Sequence, residues 1–168
     1  NKNKLKVFSN INEDIYNYFR IKAFTSFLTG ICTFIILIFF NSDLAIAFGI
    51  LSFFLNFIPY IGSLISILLP VIFSIAENFN FMYSIIIFAL LFLNHLLIGN
   101  FLENRLMGKA LNISPIVLLI FLSVMGKLWG ISGMFLSVPI IVILIIILNN
   151  FKKTKIIAIL LSEKGNLK

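Results

Sequence analysis

Residues 53–62, Phe53-Phe54-Leu55-Asn56-Phe57-Ile58-Pro59-Tyr60-Ile61-Gly62, bring an amide, a helix breaker, a phenol and a glycine together in a stretch that is otherwise hydrocarbon. Proline has no amide hydrogen and disfavours helix at the residue before it, so a helix is expected to break at Ile58 and Pro59. A break of this kind frees backbone donors and acceptors, and Asn56 and Tyr60 can either hydrogen-bond a polar solute there or satisfy that backbone. Pro59 and Gly62 can also serve only to kink a helix for packing.

Three further groups of residues have types that could do chemistry. Asn94 and His95 lie in a long uncharged run, where an ionisable side chain is a candidate for proton or ion relay, although a lone histidine near a membrane end is commonly structural. Glu103 and Arg105 follow just beyond that run and could form a gate or cap the edge of the span. Gly126, Gly130 and Gly133, with Pro139 behind them, are small residues and a breaker that suit close packing within a helical hairpin. With one histidine, one cysteine (Cys32) and scattered carboxylates, neither a metal site nor a bound cofactor is expected.

The elements that must hold these residues follow from composition. Hydrophobic residues make up 61% of the 168 positions and charged residues 11%, against roughly 45–50% and about 25% in soluble domains. The mean hydropathy is +1.13. So few charges cannot cover a water-facing surface, and the implied surroundings are lipid. A net charge of +7 raises nucleic acid as a partner. The cations instead cluster in tails and short loops around uncharged runs, which is a membrane-topology pattern.

Along the chain, residues 1–22 read as an amphipathic segment at the membrane surface, with Ile11, Ile15, Tyr18 and Phe19 at helical spacing among charged residues. Residues 24–40 carry no charge and are just long enough to span a hydrocarbon core of about 30 Å. Asn41, Ser42 and Asp43 then form a short turn without cations. The run from Leu44 to Ala76 is too long for one simple span and predicts two half-helices joined near residues 56–62. Residues 79–99 predict another span, and residues 100–109 a polar loop. The block from Ala110 to Phe151 predicts a hairpin turning near Lys127 and Trp129, before a basic tail over residues 152–168. Were residues 44–76 to cross once, the loop holding Arg105 and Lys109 would fall outside the cell. A hairpin keeps every basic cluster inside, which gives five or six membrane segments with both tails cytoplasmic. The expected fold class is therefore all-α, a polytopic transmembrane protein with broken or re-entrant helices, with residues 23–151 as its membrane region.

Three blocks carry a family resemblance. The stretch FLNFIPYIG at residues 54–62 resembles a signature of the autoinducer-2 exporter family of bacterial permeases. Residues 104–115 are similar to that family's P-R-x-x-G-K-x-L-x-x-x-P block, with Asn104 in place of the proline, and residues 130–139 to its G-x-x-G-M-x-L-x-V-P block. Order and spacing agree from about Ile21 to Leu148. Members of that family have further N-terminal spans, so the chain resembles the C-terminal half of a longer protein. The resemblance implies a plasma-membrane permease that exports autoinducer-2, a quorum-sensing signal, or other small polar solutes, and some relatives are described as sodium/proton antiporters.

The residues alone point the same way, since discontinuous helices expose amides and carbonyls near mid-membrane, where transporters build their sites. The expected pathway residues are Asn56, Pro59, Tyr60 and Gly62, with His95, Glu103 and Arg105 as relay or gate. Lipid, a small solute and cations are the expected partners, together with further copies of the chain. A membrane scaffold that carries nothing is the competing class. Enzyme chemistry has little support: the chain has no Walker-type loop and no nucleophile elbow.

Overall fold

A computed structural model describes residues 2–78, 81–107, 113–150 and 154–162, with the side chains of residues 2–14, 78, 150 and 155 excepted. These residues are almost entirely helical, and no strand occurs among them. The helices are α1 (Lys2–Phe39), α2 (Ala45–Leu55), α3 (Ile61–Asn78), α4 (Phe81–Asn94), α5 (Glu103–Met107), α6 (Pro115–Asn150) and α7 (Lys155–Leu161); a π-helical stretch, His95–Leu102, joins α4 to α5. By length and composition Ile15–Phe39, Phe81–Met107 and Pro115–Asn149 are apolar runs able to cross a membrane, the last of them interrupted at Gly130. The chain divides into two compact units, residues 20–106 and residues 1–19 with 107–168.

Within residues 20–106, the membrane replaces water as the solvent, and the helix faces invert accordingly. On α1 the buried positions are Lys22, Thr25, Ser26, Thr29, Thr33 and Leu37, while Phe24, Phe27, Ile31, Ile35 and Ile38 are exposed. Steps of three and four residues place each set on one face. In water the apolar set would turn inward; here hydroxyls face the protein interior and hydrocarbon faces outward. Helix α4 repeats the pattern with Ser84, Ile87, Leu91 and Asn94 inside. Leu37, Ala45, Ile67, Ile87 and Leu91 form the apolar core that ties α1 to α4 together.

The expected half-helices are α2 and α3. Helix α2, with 11 residues, rises only about 16 Å, half the thickness of a hydrocarbon core. It crosses α1 backbone to backbone: a Cβ on Gly30 would sit 2.8 Å from the Gly49 carbonyl oxygen. The α2–α3 turn packs as tightly, since a Cβ on Gly62 would overlap the Leu55 carbonyl.

Residue 22, expected to end a surface segment, lies inside the unbroken α1, and Lys22 is buried against the protein. The polar loop expected at residues 100–109 is helical through Met107. Of its charged residues, Glu103 is largely buried and Arg105 exposed; Lys109 lies outside the described residues.

In the other unit, α6 is a hairpin. Gly130 has φ 62° and ψ −144°, a conformation open to glycine, and there the chain reverses. Val117, Leu118 and Phe121 on the first arm pack on Ile141 and Ile145 of the second, with Ala158 of α7 against them. A Cβ on Gly126 would meet the Met134 side chain, and one on Gly133 the Met125 carbonyl, so both glycines admit the close approach of the arms. Pro139 is a buried residue inside the second arm. Lys127 and Trp129 sit at the exposed tip, where the turn was expected.

Candidate functional site

The polar residues that α1, α3 and α4 turn inward form a seam of separate hydrogen-bonded groups inside residues 20–106. At one end the Lys22 ammonium meets Glu103 Oε1 at 2.6 Å, with the two side chains only 7% and 12% exposed. Thr25 Oγ1 lies 3.2 Å from Glu103 Oε2 and also 3.2 Å from the Lys22 carbonyl. Next along α1, Ser26 Oγ accepts from Asn56 Nδ2 at 3.0 Å. Asn94 Nδ2 donates to the Thr29 carbonyl at 3.2 Å and to Thr33 Oγ1 at 3.3 Å. His95 Nε2 lies 2.7 Å from Ser66 Oγ, and Ser74 and Ser84 share a hydrogen bond of 2.6 Å. At the far end Glu77 accepts from Ser42 Oγ at 3.0 Å and from the Asp43 amide at 2.9 Å. From Lys22 to Phe39 helix α1 rises about 25 Å, so the seam runs most of the way through a hydrocarbon core.

The helix break delivers Asn56 to this seam. Helix α2 ends at Leu55, and the Phe57 and Ile58 amides close tight turns onto Phe54 and Leu55 carbonyls at 3.2 and 2.9 Å. Tyr60 takes φ 60°, a left-handed conformation costly for a residue with a side chain. The reversal buries Asn56, which is 5% exposed, and turns Tyr60 outward, 51% exposed. Pro59 is half-buried in the turn. Of the four expected pathway residues, then, only Asn56 contributes a side chain to the polar interior; Pro59, Tyr60 and Gly62 shape the turn.

The expected relay and gate residues separate likewise. His95 is buried, 6% exposed, with Nδ1 unpartnered. Glu103 pairs with Lys22 across 81 residues of sequence, and Arg105, two residues on, is exposed. No cluster of three or more metal-ligating side chains occurs among the described residues.

Residues 1–153 match the model of the AI-2E family transporter. The chain belongs to the AI-2E transporter family. Among curated proteins it is 40% identical over 154 residues to a Borreliella burgdorferi protein bearing only a general transport-protein name, covering 90% of this chain and 42% of that one. It is 34% identical over 151 residues to the AI-2 transport protein TqsA of Escherichia coli K12, covering 90% of this chain and 44% of TqsA. It is also 37% identical over 127 residues to the transport-protein homologue YhhT of Escherichia coli K12. The chain spans less than half the length of these relatives. Family and helices together make it a multi-pass membrane protein of transporter type.

Within this AI-2E protein, sequence reasoning missed Lys22, Thr25, Ser26, Thr29, Thr33, Ser66, Ser74 and Ser84. For α1 a signal existed, because Lys22, Ser26, Thr29 and Thr33 recur at steps of three and four within an apolar helix. Averaged hydropathy hides this, since a threonine costs an apolar run little. For Ser66, Ser74 and Ser84 the signal is pairing across helices, which no single segment displays.

Proposed function

We propose that this chain forms part of a permease that moves autoinducer-2 or other small polar solutes across a bacterial plasma membrane, with the polar seam of residues 20–106 as its path. The observation that carries this reading is the inverted packing of α1, whose hydroxyl face is buried and whose hydrocarbon face is exposed. A scaffold needs no row of hydroxyls, amides and an imidazole running most of the way through the bilayer, whereas a passing solute needs replacement partners for its lost water. The name of TqsA supplies autoinducer-2 as the solute to test. Export and cytoplasmic tails follow from the family resemblance and the basic clusters, and assembly into homo-oligomers belongs to the same reading. Proteoliposomes carrying the protein should pass autoinducer-2 at rates well above empty vesicles, with Asn56→Ala lowering the rate about tenfold and Tyr60→Ala changing it little. Flux equal to that of empty vesicles for autoinducer-2 and other small polar solutes would overturn the reading.

A second reading, sodium/proton exchange, is favoured by one feature: Lys22, Glu103 and His95 are titratable groups within the seam. It predicts sodium-dependent proton movement that is lost when Glu103→Gln and His95→Gln are combined.

A further inference from the structure

The hydrogen bonding of His95 gives the seam a definite chemical preference at one place. Ser66 Oγ contacts the Ser63 carbonyl at 3.0 Å and His95 Nε2 at 2.7 Å. A hydroxyl has one hydrogen, and a carbonyl can only accept, so both bonds coexist only if Ser66 donates to Ser63 and accepts from Nε2–H. In a neutral imidazole with its proton on Nε2, Nδ1 is a bare acceptor. It is buried and has no partner.

Asn56 supplies a second acceptor at the same spot. Its Nδ2 is committed to Ser26 Oγ, and Oδ1, on the other side of the amide, lies toward Gly99 of the π-helical stretch. A Cβ built on Gly99 would lie 3.8 Å from Asn56 Oδ1 and 3.8 Å from His95 Nδ1. The two acceptors therefore flank one face of Gly99, where no side chain separates them. π-helical turns open a helix by one residue, and such turns are frequent at functional sites.

We propose that Asn56 Oδ1 and His95 Nδ1, over the bare face of Gly99, form a binding site for the hydroxyl groups of a neutral polyhydroxylated solute. Two acceptors and no donor complement O–H groups, and a buried acceptor left without a donor is costly enough to make occupancy favourable. Both acceptors are uncharged, and the ionic groups at that end of the seam, Lys22 and Glu103, neutralise each other at 2.6 Å. A cation would thus find no net negative charge to balance it in a low-dielectric setting. The inference deepens the permease reading and rests on it for the solute's passage, though not for its binding.

His95 is the one histidine of the sequence, so the imidazole nitrogen NMR spectrum of the protein, purified without a histidine tag and placed in lipid nanodiscs, reports this ring alone. Before ligand, the spectrum should show Nε2 protonated and Nδ1 bare. D-ribose and autoinducer-2 should each shift Nδ1 in the direction of an accepted hydrogen bond and leave Nε2–H in place. Gly99→Ala puts a methyl at ordinary contact distance from both acceptors, so the chain should fold as before while binding weakens about tenfold or more. An Nδ1 signal that ignores both solutes overturns the site; if flux persists in that case, and in Gly99→Ala, the permease reading stands without it. An Nδ1 response with no flux in proteoliposomes keeps the site and removes the permease reading. A response to sodium chloride but to neither solute overturns the hydroxyl assignment in favour of a cation.

Discussion

Replacing Lys22 with methionine isolates the energetics of the seam's ionic end. At 2.6 Å the ammonium and the Glu103 carboxylate attract with about 6 kcal/mol at an effective dielectric constant of about 20. Taking two charges out of water costs several kcal/mol per ion, so the net contribution of the pair is far smaller than that attraction. Removing one partner is different, because Glu103 then stays 12% exposed with Thr25 as its remaining side-chain donor. Lys22→Met is therefore expected to cost about 3–5 kcal/mol. Glu103→Gln keeps a carbonyl for Lys22 to donate to but leaves the ammonium, 7% exposed, without a counter-charge, and should also cost about 3–5 kcal/mol. The double variant Lys22→Met/Glu103→Gln leaves no buried charge and should fall within about 1 kcal/mol of the parent. Reversible unfolding in mixed detergent micelles measures all three and gives the coupling energy. A Lys22→Met loss below about 1 kcal/mol, with additive behaviour in the double variant, would refute a buried, mutually dependent pair.

Other variants test the break and the interior. Gly62→Ala drives a methyl into the Leu55 carbonyl and should cost about 3 kcal/mol or more, seen as loss of folded protein on micelle chromatography. Tyr60→Gly should remain within about 1 kcal/mol of the parent and Tyr60→Val fall about 1–2 kcal/mol below it, since a β-branched residue tolerates the φ of 60° poorly; thermal unfolding separates them. Asn94→Leu removes two long hydrogen bonds, of 3.2 and 3.3 Å, and should cost only about 0.6–1 kcal/mol by micelle unfolding.

The breaks were the legible part of the sequence. Pro59 has no donor and disfavours helix before it, and with Gly62 close behind it marks the α2–α3 reversal, which Pro70 and Pro139, each inside a helix, do not produce; the glycines between 126 and 133 announce the hairpin at Gly130 in a similar way. Asn56 stood out because an amide is conspicuous among phenylalanines. The role of Lys22 did not, because a cation next to an apolar run reads as a boundary until its partner, 81 residues away, is known. Glu103 misled for the same reason: its neighbour Arg105 offers an obvious pairing in sequence, while the helix through Met107 turns the two side chains apart. Tyr60 promised a phenol in the seam, but the left-handed turn that buries Asn56 points it out.

Thiol accessibility tests the proposed path most directly. Cys32 is the one cysteine, so a Cys32→Ser background allows single cysteines to be placed at Ser26 and Thr29 in the seam and at Ile35 and Phe88 on the exposed apolar face. In proteoliposomes treated with a membrane-impermeant methanethiosulfonate, the two seam positions should react, and autoinducer-2 should slow that reaction, while the apolar-face positions stay unmodified. Seam cysteines as inert as the one at Phe88, with and without the solute, would contradict the account and mark the polar row as a sealed core.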